Sequence, residues 1–130
     1  MVDLGENPSV PFPEDLPEGS LISVNDRGFC LASASSEERS TVLGVRVGNR
    51  IVSTGIVPMR VLRLYKFKQG QRLYLSDLIF GTAQPFVPAG SGCFVSMVGV
   101  SMDDFDGPCD STGDVLIPVF YGGLLSIRLP

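Results

Sequence analysis

Five carboxylates crowd into the twelve residues from Asp103 to Asp114, at Asp103, Asp104, Asp106, Asp110 and Asp114. Clustered hard oxygens are what a calcium ion takes as ligands. The spacing does not suit a helix-loop-helix calcium loop: with Gly107 at the turn position, Met102 falls on the first ligand position and Gly113 where a bidentate Glu belongs. Two readings stand, an irregular calcium site and a solvated loop joining two strands. Asp110-Ser111-Thr112-Gly113 approaches the Asp-Thr/Ser-Gly signature of aspartic proteases, but an extra residue separates the acid from the glycine. Paired-carboxylate catalysis would have to draw on this same cluster.

Other chemistry is excluded by composition. The chain has no histidine and no tryptophan, which removes histidine general-base catalysis, Ser-His-Asp and Cys-His triads, and nearly every catalytic zinc arrangement. Cys30, Cys93 and Cys109 are too few and too widely spaced for a disulfide framework or a paired metal motif. Cys30 and Cys93 lie in apolar runs and read as small buried hydrophobes. Cys109 sits among carboxylates that disfavour its thiolate. Gly90-Ser91-Gly92 lacks the third glycine and the following helix of a phosphate cradle. No enzyme, metal or cofactor is expected. Tyr65, Tyr74 and Tyr121, with eight phenylalanines, suit either ordinary sheet packing or a stacking platform.

The elements that must position these residues are short apolar runs closed by Gly, Pro, Asn or Asp, the grammar of an all-β domain. Strands are predicted at 21–24, 28–32, 42–47, 50–53, 56–65, 72–76, 93–101, 115–121 and 124–129. Gly48-Asn49 and Gly122-Gly123 are the expected tight hairpin turns. Ser35-Ser36-Glu37-Glu38 supports one helical turn at most. At 130 residues, 44% hydrophobic and 18% charged, one domain is expected, 19–130, preceded by an arm over 1–18. Residues 78–102 carry no charge, yet their prolines and glycines break any spanning helix. The first residues lack the basic start and apolar stretch of a signal peptide.

A weak internal repeat organises the domain as two similar β halves, 19–57 and 70–116. Gly19-Ser20-Leu21-Ile22-Ser23-Val24 is echoed by Gly70-Gln71-Arg72-Leu73-Tyr74-Leu75, and Val42-Leu43-Gly44-Val45 by Met97-Val98-Gly99-Val100. Ser53-Thr54-Gly55-Ile56-Val57 is echoed by Ser111-Thr112-Gly113-Asp114-Val115. The fold class read from this is a compact β-barrel or sandwich of two halves with an extended N-terminal arm; turn grammar alone is the competing source of the landmarks.

Charge is segregated behind a net of -4. Residues 1–26 hold six acids and no base, 27–72 hold nine bases against Glu37 and Glu38, and 73–130 hold six acids against Arg128. A basic middle between acidic ends suits docking between copies or onto a charged partner. No nucleic-acid recognition module is matched, and neither nucleic acid nor membrane is an expected partner. The candidate partner-binding residues are Arg46, Arg50, Arg60, Arg63, Lys66 and Lys68, together with Phe12 and Leu16 as anchors of the arm. The arm, through Pro8, Pro11, Pro13 and Pro17, cannot form a helix or central strand. It reads as an extended segment lying on a neighbour or as a disordered terminus. With so little charge the chain is expected to have apolar strand surface left for subunit contacts. A further ~400 Å² buried there is worth roughly 10 kcal/mol before association costs, at about 25 cal/mol per Å².

The order Gly-x-Leu-Ile-Ser-Val, Val-Leu-Gly-Val, Thr-Gly-Ile-Val, Phe-Lys-Gln-Gly-Gln-Arg-Leu-Tyr-Leu-Ser, a Pro-rich stretch, Val-Gly-Val and a final apolar hairpin resembles the head decoration, or cement, proteins of tailed bacteriophages. The resemblance covers about Pro17 to Leu129, with Gly70 to Leu75, Gly44-Val45 and Gly99-Val100 as its landmarks. It implies a non-enzymatic virion protein assembled in the host cytoplasm. Such a protein sits on the outer face of the head, often as a homotrimer, and clamps neighbouring major capsid protein subunits. In that picture the arm reaches a capsid subunit, the basic block docks an acidic capsid surface and the uncharged strands form the trimer seam. The alternative is a β module of a phage tail or fibre, with tyrosines and the acidic loop facing a receptor glycan or another tail protein.

Overall fold

The structure, a computed structural model, describes residues 16–26, 28–36, 39–88, 92–107, 109, 113–122 and 126–128. Ten strands are formed among them: β1 Leu21–Asn25, β2 Gly28–Leu31, β3 Gly44–Val47, β4 Arg50–Val52, β5 Gly55–Leu62, β6 Arg72–Leu75, β7 Ala83–Gln84, β8 Phe94–Ser101, β9 Asp114–Tyr121 and β10 Ser126–Arg128. The described residues contain no helix, and the all-β expectation holds.

Two sheets share the strands. The first runs β2-β1-β3-β4 and is antiparallel throughout. The second runs β10-β8-β6-β7-β5-β9, and β9 returns to pair with β8, so β5, β7, β6, β8 and β9 close into a ring. Closure is thin at one place, where β5 and β7 meet in parallel through the single pair Val61↔Ala83. Within the second sheet the run β7-β6-β8-β9 has the same order as β2-β1-β3-β4. Leu21, Val45 and Val52 of the first sheet share one core with Val57, Met59, Val61, Leu73, Leu75, Val98, Val119 and Tyr121 of the ring.

The longest ladder joins β5 to β9 over eight pairs, from Gly55↔Tyr121 to Leu62↔Asp114. Prolines face each other at its middle, Pro58↔Pro118, where a missing N–H would ordinarily break a sheet. Neither one does. Arg60 N–H donates to Gly19 O at 2.8 Å and Met102 N–H donates to Pro118 O at 2.9 Å. Backbone polar groups point to alternate sides along a strand, so the nitrogens of Pro58 and Pro118 both face away from the shared ladder. The two prolines occupy a pair that exchanges no hydrogen bond.

Two strand glycines are required by close approach. A Cβ on Gly44 would lie 2.5 Å from Val52 O, and one on Gly99 would lie 2.4 Å from Phe120 O. Gly48, in the β3–β4 turn, has φ +64 and open space around it.

Several boundaries differ from expectation. β5 stops at Leu62, where the chain turns and Arg63 N–H donates to Gly113 O. The two-residue β7 had no alternation from which to read it. Gly122-Gly123 was expected to reverse the chain, yet β9 and β10 both run antiparallel to β8 and so continue in one direction along it. Gly123 lies outside the described residues, as do Glu37 and Glu38 of the expected helical turn and Ser111 and Thr112 of the third repeat landmark. The strand that takes β4's place in the second half is β9, whereas Ser53 to Val57 leads into β5, the partner of β9.

Burial pushes the Tyr121 hydroxyl from 10.0 up to about 12. Below pH 10 the phenol is neutral in both states; between roughly 10 and 12 the unfolded chain releases its proton while the folded one keeps it, so stability falls as pH rises. Two units at ~1.4 kcal/mol each make about 3 kcal/mol. Unfolding free energies from urea titrations between pH 9 and 12 should fall further in the native protein than in Tyr121→Phe by that amount. Gly44→Ala and Gly99→Ala should each cost about 2–4 kcal/mol in the same assay, through overlap with backbone. Gly48→Ala should cost about 1 kcal/mol, from its positive φ alone.

Candidate interaction surfaces

Alternation along β5 and β9 turns one set of side chains into the core and the other outward. Val57, Met59 and Val61 point in; Ile56, Pro58 and Arg60 point out. On β9, Ile117, Val119 and Tyr121 point in, and Leu116, Pro118 and Phe120 point out. Ile56 and Phe120 are cross-strand partners and remain 56% and 52% exposed, with Leu116 at 47%. Register carries this row on across the ring, because Phe120 pairs with Val100 on β8 and Val100 with Arg72 on β6. The result is an outward apolar stripe ending at a cation.

At the other end of the β5–β9 face the stripe is closed over. Arg60 donates from Nη2 to Asp114 Oδ2 at 2.6 Å, from Nε to the same oxygen at 3.1 Å, and from Nη1 to Ser20 Oγ at 2.9 Å. The guanidinium side chain is 12% exposed and the carboxylate 30%. Ser20 belongs to the segment Leu16–Ser20 that crosses from one sheet to the other, with Gly19 N–H on Arg46 O and Gly19 O taking Arg60 N–H. A Cβ on Gly19 would meet Leu116 Cδ2 at 2.4 Å.

A groove of about 560 Å³ opens beside Arg72, lined by Lys68, Arg72, Tyr74, Pro85, Phe86 and Val87. Its wall is fixed from behind by two glutamine amides: Gln71 Nε2 donates to Pro85 O at 3.0 Å and Gln84 Nε2 to Phe86 O at 2.9 Å. Tyr65 packs edge-on against Phe86 with ring centroids 4.3 Å apart. No described carboxylate pairs with Arg72. Lys68 reaches Asp106 at 3.6 Å with both side chains exposed, a contact of little energy.

The structure distributes the sequence-predicted residues widely. Phe12 lies outside the described residues. Leu16, expected to anchor the arm on a neighbour, is 6% exposed and packs on Ile22 and Ile51 of its own chain; this corrects the arm's inner boundary. Arg46 donates to Leu16 O and, from Nε, to Gly48 O at 2.9 Å, so it organises the β3–β4 turn that Glu18 also holds through Gly48 N–H. Arg60 is tied into its own ion pair and Arg63 is half-buried. Arg50, Lys66 and Lys68 are exposed. The six bases therefore do not make one patch. The groove beside Arg72 and Phe86 was missed; the signal available was a base two residues before Tyr74, with Pro85-Phe86 following downstream.

The acidic loop separates into local contacts. Asp104 Oδ1 accepts Gln69 N–H at 2.7 Å, Asp106 faces Lys68 and Asp114 binds Arg60. No group of three or more metal-ligating side chains occurs among the described residues. Asp110 lies outside them. Phe105 is drawn inward, exchanging backbone hydrogen bonds with Phe67 and stacking on it at 5.5 Å. Cys93 is buried with Sγ 3.4 Å from Asp77 Oδ2, Cys30 is only half-buried, contrary to expectation, and Cys109 is exposed.

No family model, curated protein or solved structure matches this chain.

Arg60→Ala should cost about 1–3 kcal/mol in chemical denaturation, because it strands Asp114 and Ser20 in a partly dry site. Lys68→Ala should stay within about 0.5 kcal/mol. Equal losses from the two would remove the distinction drawn between structural and exposed bases.

Proposed function

We propose that the protein is a non-enzymatic structural component of a virion, a decoration protein that binds the outside of a phage head and stabilises contacts between major capsid subunits. The observation that carries the reading is the outward stripe of Ile56, Leu116, Pro118 and Phe120 on a rigid two-strand ladder. Large apolar side chains held on a flat, fixed face suit permanent burial against another protein surface. A seam between copies, as in a homotrimer, is the contact assigned to it. The exposed base Lys66 is assigned to an acidic capsid surface. A glycan-facing tail module is less well supported, since Tyr121 is in the core and Tyr65 is engaged with Phe86.

Light scattering of the purified protein, followed by sedimentation with expanded undecorated heads, tests this directly. The protein should pellet with heads in stoichiometric amounts. Ile56→Asp/Phe120→Asp should abolish self-association and weaken pelleting at least about tenfold, equivalent to ~1.4 kcal/mol, while leaving the thermal midpoint of the domain within a few degrees. A stable oligomer that ignores heads would retire the capsid reading. Truncation of the arm for this assay should end at residue 15, since Leu16 belongs to the core.

A further inference from the structure

The outer face of the first sheet carries a second apolar surface that the capsid reading does not use. Leu21 faces the main core, so alternation turns Ile22 and Val24 of β1 to the other side, together with their cross-strand partners Leu31 and Phe29 on β2. Leu16 covers the near end of this surface and sits with Ile22 and Ile51, both fully buried; Phe29 and Leu31 pack against the three but stay half-buried, and Val24 is 41% exposed. The course of the chain onto this face is fixed by a turn. Pro17 O accepts Ser20 N–H at 3.2 Å with Gly19 at φ +77, so the chain reverses there and the residues upstream of Pro17 run back beside β1, in the direction of Ile22 and then Val24. Arg46 Nη1 donates to Leu16 O and holds that course.

The residues immediately upstream have the sequence that such a course needs. Pro11 and Pro13 favour the extended polyproline conformation, in which every third residue shares a side. Leu16, Pro13 and Val10 are spaced by three, so one side of the segment is apolar and Glu14 and Asp15 fall on the others. We infer that residues 12–15 continue the Leu16–Ser20 segment along the outer face of the first sheet of their own chain, with Pro13 over Val24 and Phe12 against Phe29. The distances agree. Val24 lies two residues beyond Ile22, ~7 Å at about 3.3 Å per residue, and Pro13 lies three residues from Leu16, ~9 Å at about 3.1 Å per residue. Phe29 is paired with Val24, about 5 Å farther to the side, within the length of a phenylalanine side chain. Val24 and Phe29 are thereby withheld from any partner, and the acidic segment left to reach one shortens to residues 1–11, with two acids, Asp3 and Glu6. The inference does not require that the protein sit on a head.

The chain contains no tryptophan, so Phe12→Trp makes a single reporter in the full-length protein. Its emission should lie at shorter wavelength than that of the urea-unfolded chain and should resist quenching by acrylamide. To place the residue, full-length protein with p-benzoylphenylalanine in place of Phe12 is irradiated as an equal mixture of natural-abundance and heavy-nitrogen chains, then digested for mass spectrometry. Cross-links should fall on residues 24, 29 or 31 and join peptides of the same isotope. Phe12→Ala should lower the folding equilibrium constant about tenfold, equivalent to ~1.4 kcal/mol, whereas removal of residues 1–11 should leave it within about twofold. Solvent-like emission, an unchanged folding constant in Phe12→Ala, or cross-links that fall elsewhere would overturn the inference. Cross-links that join unlike isotopes would overturn it too, by assigning the face to a second copy. No heads are present in the experiment, so its result is independent of the sedimentation assay.

Discussion

The β5–β9 ladder is the constraint on which the rest of the structure depends. It is the longest pairing in the chain, and its inner side chains, Val57, Met59, Val61, Ile117, Val119 and Tyr121, supply a large part of the core. Both flanks of the ladder are spoken for: Gly19 takes a hydrogen bond from Arg60 on one side and Met102 gives one to Pro118 on the other. That arrangement explains how two facing prolines are tolerated. Their missing donors fall on the flanks, where the pairing between β5 and β9 does not need them. A one-residue slip of either strand would aim its proline nitrogen into the ladder and turn its outward apolar residue, Ile56 or Phe120, into the core. The prolines thus help to define the register that leaves the apolar stripe outside.

Glycine enforces the same geometry at the two places where strands come closest. Gly44 on β3 lies under a carbonyl of β4, and Gly99 on β8 lies under a carbonyl of β9, in strand runs of the same order. At Gly99 the close approach is what allows β9 to pair with β8 while still holding β5, which closes the ring. Any side chain there would push β9 away from one neighbour or the other. The second sheet would then open at β8–β9, leaving the single β5–β7 pair to join β5 and β9 to the rest of the sheet.

Most strands were legible as short apolar runs closed by Gly, Pro, Asn or Asp, as at Ile56 to Val61 and Leu116 to Tyr121. What pairs with what was less legible. Nothing in a period-two pattern says that β9 has two partners, or that Gly122 carries the chain onward along β8 when a Gly-Gly pair ordinarily reverses it. β7 escaped because a strand of two residues has no period; it exists because β5 and β6 flank it. For the candidate surfaces, the basic block was visible as composition but its division was not. Arg46 and Arg60 lie in the same charge run as Lys66 and Lys68, yet the Leu16 carbonyl and the Ser20 hydroxyl engage the first two, while the second two are exposed. Leu16 was misjudged for the same reason. Its apolar character was read correctly, but its partners, Ile22 and Ile51, lie on the outer face of the first sheet, which alternation alone assigns to solvent.

That outer face alters how the acidic N-terminal segment relates to the domain. Leu16 closes a small second cluster, Arg46 and Gly48 bind the backbone and side chains of Leu16 and Glu18, and Ser20 braces Arg60. Residues 16–20 therefore act as a strap that joins the first sheet to the β5–β9 ladder. The charge on either side of the strap is unequal. Upstream are four acids and no base; across the ring, Arg72 stands without a described counter-ion at the end of an apolar row. An unpaired cation beside exposed aromatic surface is a site where a carboxylate gains both from Coulomb attraction and from neighbouring desolvation. The strap fixes the point from which the acidic segment departs, at the opposite end of the β5–β9 face from the row that Arg72 ends. Arg72 is exposed on β6 while Leu73 and Leu75 face inward, so a change at Arg72 leaves the core side of that strand in place.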